Sequence, residues 1–259
     1  MNQIVRYPLL VFALGLVMLW LSAQIGRSFR KKRRDPEEAE REDFGIVVAA
    51  TLTLLALIIG FSFSMASTRY DQRKNLEESE ANAIGTEYFR AGFLPAADAA
   101  RARTLLTKYL DQRVTFYETR DNSQLRQIDA TTVQLESELW LTVQSPAAAQ
   151  PTPVAALAAA GMNDVLNSRG YTEAAWLNRI PMAAWALMTT IAVCCNLLIG
   201  YGTRRGEAKA IVLLVLPFIM SISFSLIANI DSPRGGFVRV YPDNLKSLSQ
   251  SLQKHSLQD

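Results

Sequence analysis

Histidine is nearly missing from this chain. Its 259 residues hold one, His255, and two cysteines, side by side at Cys194 and Cys195. So few nitrogen and sulfur donors exclude a His-based metal cluster. Two neighbouring thiols cannot build a disulfide framework, and inside an apolar stretch they read as helix-packing residues. There is no Gly-rich phosphate loop, no G-x-S-x-G turn and no His-based triad. No enzymatic activity, cofactor or metal is expected. A net charge of +3 is small, and no basic run is interleaved with aromatics, so nucleic acid is not an expected partner. Alternating strand patterns are missing as well, apart from one short extended candidate at 236–242, and there is no internal repeat.

Charge is missing in a more informative way from four stretches: 8–26, 44–68, 180–203 and 210–230. Each reaches or approaches the ~20 apolar residues that carry a helix across ~30 Å of hydrocarbon. A charge at mid-membrane costs roughly 2.5–3.5 kcal/mol, so four clean windows point to lipid as their solvent. The mean hydropathy of +0.09 hides them because a long polar segment dilutes the average. The first stretch lacks the small residue a signal peptidase prefers three positions before Ala23, where Leu21 stands, so it reads as a retained helix.

The expected fold is therefore an all-α integral membrane protein. Four transmembrane helices occupy 1–26, 44–68, 180–203 and 210–230, with a helical extramembrane domain at 69–179 inserted between helices 2 and 3. Residues 27–43 and 204–209 are loops, and 231–259 a polar tail. In the domain, Leu105, Leu106, Tyr109, Leu110 and Val114 follow helical spacing, as do Leu125, Ile128, Thr132, Leu135, Leu139 and Val143. Asp121-Asn122-Ser123 marks the turn between them. The Pro-rich 145–153 reads as a linker, and 154–167 as a further helical run leading through Arg169-Gly170 towards helix 3.

Basic residues near helix ends stay in the cytoplasm. The first loop carries Arg27, Arg30, Lys31, Lys32, Arg33, Arg34 and Arg41, and the second Arg204, Arg205 and Lys209. Both loops are therefore expected inside. That places the two termini, residues 69–179 and the tail outside the inner or plasma membrane. Asp35, Pro36 and Glu38 form an N-cap and capping box, so helix 2 should begin near Pro36. No strong breaker follows until Gly92 and Pro95. The helix can extend on the order of 80 Å, although sequence leaves its continuity past Arg69 open.

The densest polar chemistry lies where helix 2 leaves its apolar window. Ser64, Thr68 and Asp71 share one helical stripe, and Arg69 and Arg73 another, with Tyr70 between Arg69 and Asp71 at the depth aromatic rings prefer. Glu80 and Asn82 follow in Glu80-Ala81-Asn82-Ala83-Ile84-Gly85-Thr86. Helix 4 ends in Asp231-Ser232-Pro233-Arg234-Gly235-Gly236, on the same side as the helix 2 exit. The alternative reading of these residues is an interface anchor, a solvated helix surface and a helix stop. The candidate pore or interface cluster is Ser64, Thr68, Arg69, Tyr70, Asp71, Arg73, Glu80, Asn82, Asp231 and Arg234. An ion pair between Asp231 and the helix 2 arginines is expected at that boundary. Gly60-x-x-x-Ser64 and Ser221-x-x-x-Ser225 are spacings that let helices approach closely, and Pro217 is expected to kink helix 4.

Gly60-Phe61-Ser62-Phe63-Ser64-Met65-Ala66, the Arg69–Arg73 run, the Glu80–Thr86 run and Asp231-Ser232-Pro233-Arg234-Gly235-Gly236-Phe237 together resemble the bestrophin-like domain family of bacterial membrane proteins, a domain of unknown function. The resemblance covers roughly 44–240 and implies four membrane helices. It is similar, more remotely, to the bestrophins, pentameric anion channels. Tyr70, Asp71 and Arg73 match their helix 2 pattern loosely, and Ser62 stands where that pattern has Arg. The bestrophin pattern implies a cytoplasmic 69–179 segment, whereas the basic loops here imply an external one. The resemblance implies a homo-oligomer in the lipid bilayer with anions as the permeant partner. Arg69 and Arg73 would then attract anions, and hydroxyls would line the path. The alternative is a non-conducting envelope scaffold or sensor that binds a partner through its extracytoplasmic helices.

Overall fold

The computed structural model describes residues 7–31, 38–203 and 210–255. Among these every regular element is helical: α1 (Pro8–Lys31), α2 (Glu38–Arg90), a 3-10 turn (Ala91–Phe93), α3 (Ala96–Glu118), α4 (Asn122–Ala149), α5 (Pro153–Leu177), α6 (Met182–Gly202), α7 (Ala210–Asp231) and α8 (Asp243–His255). By length and composition, four helices can cross a membrane. The Asp35–Pro36 helix start, the basic cluster Lys32–Arg34 and the loop bearing Arg204, Arg205 and Lys209 lie outside the described residues.

The chain divides into two compact units, Met1–Arg69 with Arg179–Arg239, and Tyr70–Asn178 with Val240–Asp259. In the first, α1 packs on α6 and α7. Glycine makes the α1–α6 contact possible. A Cβ at Gly26 would overlap the Leu197 carbonyl, and one at Gly200 would overlap that of Ala23, so the two backbones touch with no side chain between them. Ser221 packs over Gly15, and Ser225 donates a hydrogen bond to the Pro8 carbonyl at 2.9 Å. The Ser221-x-x-x-Ser225 spacing thus works as a packing seam. Gly60 has nothing within 4 Å of its Cβ position, so the matching seam on α2 is open. Pro217 lies inside α7, and Ser221 donates to its carbonyl at 2.7 Å.

The second unit is built on a core of Ile84, Leu106, Tyr109, Leu110, Leu139, Val143, Met162 and Leu245. These come from α2, α3, α4, α5 and α8, and those of α3 and α4 lie on the apolar stripes that helical spacing predicts. Asp121 caps α4, its carboxylate accepting from the Ser123 N–H at 3.0 Å. Three features differ from the sequence reading. The expected linker at 145–153 is mostly helix: α4 runs through Pro146 to Ala149, and α5 starts at Pro153 with Thr152 as its cap. Pro146 is buried, so apolar burial offsets the backbone bond its ring removes. α5 also continues unbroken through Arg169-Gly170 to Leu177. The C-terminal segment, read as a tail, contains α8, whose Leu245 and Leu252 are buried.

Candidate functional site

Helix α2 is 53 residues long, on the order of 80 Å at 1.5 Å per residue. One face is covered: Leu55, Ser62, Ala66, Arg73, Glu77, Glu80, Ile84 and Glu87 are all buried and recur at spacings of three, four and seven. The opposite face carries Thr53, Leu57, Gly60, Ser64, Thr68, Asp71, Asn75, Glu78 and Asn82, all exposed. In its apolar window only 6% of residues are buried, against 28–39% in the other three spans. The two threonine hydroxyls on this face need no outside acceptor. Thr53 donates to the Ala49 carbonyl at 2.9 Å and Thr68 to that of Ser64 at 2.9 Å.

Within the first unit the structure brings Arg69 and Asp231 together. A guanidinium nitrogen of Arg69 lies 3.9 Å from Asp231 Oδ1, in the pairing expected from sequence. Asp231 is 1% exposed, and both its oxygens accept from the Ile180 N–H, at 3.1 and 3.3 Å. It therefore ties the end of α7 to the start of α6 as well as facing α2. The following residues fold tightly over Asn229, whose Oδ1 accepts from the Val238 N–H at 2.8 Å. A Cβ at Gly236 would overlap the Asn229 carbonyl, so this position needs glycine. Gly235 N–H reaches the Ser232 hydroxyl at 3.2 Å, and Arg234 is half-buried in the same turn.

In the second unit the reading of a solvated helix surface gives way to a buried polar seam. Arg73 is 1% exposed and donates to the carbonyls of Ala175 and Asn178 at 3.3 and 3.4 Å, capping the last turn of α5 where the helix dipole favours a cation. Glu77 accepts from the Asn244 side chain at 2.6 Å and the Leu245 N–H at 2.9 Å, holding the N-terminus of α8. Glu80 is paired with Arg113 and accepts from the Tyr117 and Thr172 hydroxyls at 3.1 and 3.2 Å. Burial works against the Arg113 charge, but Glu80 outweighs it and raises the guanidinium further above its ordinary value. Arg169 joins α5 to Asp129, Glu136 and Glu173. Tyr70 packs half-buried against this core, Asp71 is exposed, and exposed Asn82 lines a cleft of about 370 Å³ with Gly85, Phe89, Asn244 and Leu248.

Sequence reasoning missed Arg113, although it falls four residues after Tyr109 on the apolar stripe of α3. A charge on an interior stripe is the signal for a buried partner. It also missed Glu77 and Glu87, whose burial depends on where α8 and α5 lie. Among the described residues there is no group of three or more metal-binding side chains.

The Bestrophin-like domain family model matches residues 9–245. Among solved structures, a variant of a bacterial bestrophin homologue from Klebsiella pneumoniae matches with a TM-score of 0.65 at 14% identity, covering 96% of this chain and 98% of that one. A second structure of a bacterial bestrophin homologue from Klebsiella pneumoniae gives 0.62 at 15% identity, covering 95% and 96%. One described as a membrane protein gives 0.64 at 14%, covering 93% and 97%. At such identities the likeness is one of fold. Among curated proteins, no sequence matches.

Proposed function

The chain belongs to the bestrophin-like domain family, and we propose that it is a homo-oligomeric, ion-conducting membrane protein whose pore is lined by the exposed face of α2. The observation that carries this reading is the bareness of that face. α2 is the least covered of the four spans, and the side it leaves open is a line of Thr53, Gly60, Ser64 and Thr68 rather than bulky apolar residues alone. Lipid gains nothing from that line. Copies arranged about an axis would turn it inward, where hydroxyls and exposed backbone at glycine substitute for part of an ion's hydration shell.

Two sets of charges compete to fix the sign of the ion. The sequence reading gives Arg69 and Arg73 the role of attracting anions. Against it, Arg73 is buried on α5 carbonyls and Arg69 shares its charge with Asp231. On the exposed face the acids Asp71 and Glu78 stand with the exposed Lys74 between them, a net negative charge that favours cations. Purified protein in liposomes, with salt gradients of opposite sense, decides between them. Cation-selective flux weakened by Asp71→Asn with Glu78→Gln supports the exposed-face reading. Anion-selective flux weakened by Arg69→Ala supports the arginines. Vesicles that stay tight at every protein density refute conduction and leave a scaffold or sensor.

A further inference from the structure

We propose that Glu87 is a proton-binding residue of the second unit, held as the neutral acid while α2 and α5 are packed and loosening their contact at Gly161 once it ionises. The proposal is independent of conduction. Glu87 stands 19 residues beyond Thr68, about 28 Å further along α2, well outside the apolar window.

Three buried carboxyls follow one another on the covered face of α2, and two are satisfied. Glu77 receives two N–H donors, and Glu80 receives a guanidinium and two hydroxyls. Glu87 is 0% exposed, yet neither of its oxygens accepts a hydrogen bond. α5 passes over it at Gly161, where a Cβ would overlap Glu87 Oε2 and lie 2.6 Å from an Arg90 guanidinium nitrogen. Glycine is thus what allows the helix backbone to close over the carboxyl. An ionised carboxylate without donors is among the most costly groups to bury, and binding a proton removes the charge.

The charges around it do not supply the missing partner. Arg90, one turn on in α2, favours ionisation, and Asp164 on α5 opposes it. On α3, Arg103 lies over the Tyr88 ring at 5.4 Å and donates to the Tyr88 carbonyl at 3.3 Å. On α8, His255 stacks at a tilt on Phe89. Burial dominates and pushes the Glu87 carboxyl up from 4.5 to about 8. The folded value exceeds the unfolded one, so the stabilisation is complete below about 4.5 and is lost as pH rises through about 8. Inside that window the folding equilibrium should weaken by up to about tenfold per pH unit.

The test is thermal unfolding of the full chain in detergent across this window, for the wild type and Glu87→Gln. The wild type should lose stability as pH rises, and the Gln variant should lack that component. Parallel profiles would overturn the proposal. If the variant does not fold, infrared titration of the wild type decides. A protonated-carboxyl stretch should persist at neutral pH and vanish with a midpoint near pH 8, and its absence at neutral pH refutes the assignment.

Discussion

Replacing Arg113 with leucine should reveal how the second unit tolerates a charge at its centre. Glu80 and Arg113 are 0% and 1% exposed, so truncating one strands the other. After Arg113→Leu the Glu80 carboxylate keeps only the Tyr117 and Thr172 hydroxyls, which are weaker partners than a guanidinium. Its charge is then enclosed without a cation to balance it. Lost packing of the guanidinium over Phe116, 4.4 Å from the ring centre, is partly restored by leucine. The total should fall within the ~3–5 kcal/mol seen when a buried pair is broken from one side. In a chain of this size that is on the order of 10 °C in Tm. The assay is thermal unfolding of the detergent-purified full chain. Glu80→Gln should cost as much, because it strands the Arg113 guanidinium in turn. Replacing both residues with leucine should cost less than either single change. A loss below about 1 kcal/mol for Arg113→Leu would show that Glu80 reaches water and that the pair is not a buried one.

Two other outcomes are expected. Gly200→Leu should abolish the α1–α6 contact and sharply lower the yield of folded protein, because the Ala23 carbonyl occupies the space a side chain needs. Gly60→Leu has open space within one chain and should leave monomer folding intact while disrupting oligomers, as read by light scattering in detergent; equal loss of folding in both would remove the distinction between the two faces. For orientation, a cysteine at Pro151 in a chain with Cys194 and Cys195 replaced should react with a membrane-impermeant reagent in intact spheroplasts. Labelling only in inverted vesicles would place residues 69–179 in the cytoplasm.

Helix α2 illustrates how much was legible before any coordinates. Its apolar window and the polar group at its exit follow from charge-free runs and 100° periodicity, whereas its unbroken run past Arg69 to Arg90, which the sequence leaves open, is seen only in the fold. The Arg69–Asp231 pair was legible because both residues flank apolar windows, and a charge at that depth needs a partner. α3 and α4 fall on their predicted stripes because apolar residues at helical spacing share one face. α8 was missed because Leu245, Leu248 and Leu252 make only a short amphipathic pattern, one that becomes meaningful when Glu77 is found holding its first turn. The 145–153 segment misled because proline marks a boundary in most contexts, while burial of Pro146 lets α4 run through it.

Composition and spacing alone determined that this protein is helical, that four of its segments suit lipid, and that α2 carries both a long apolar window and a polar exit. Those properties are local, set by what neighbouring residues along one helix share. Only the tertiary structure decided which polar residues are enclosed. Whether a glutamate at one turn meets an arginine, a helix N-terminus or nothing at all depends on the element that crosses it. That crossing is set by glycines and apolar contacts from distant parts of the chain, so Glu77, Glu80 and Glu87 look alike in sequence and differ completely once folded.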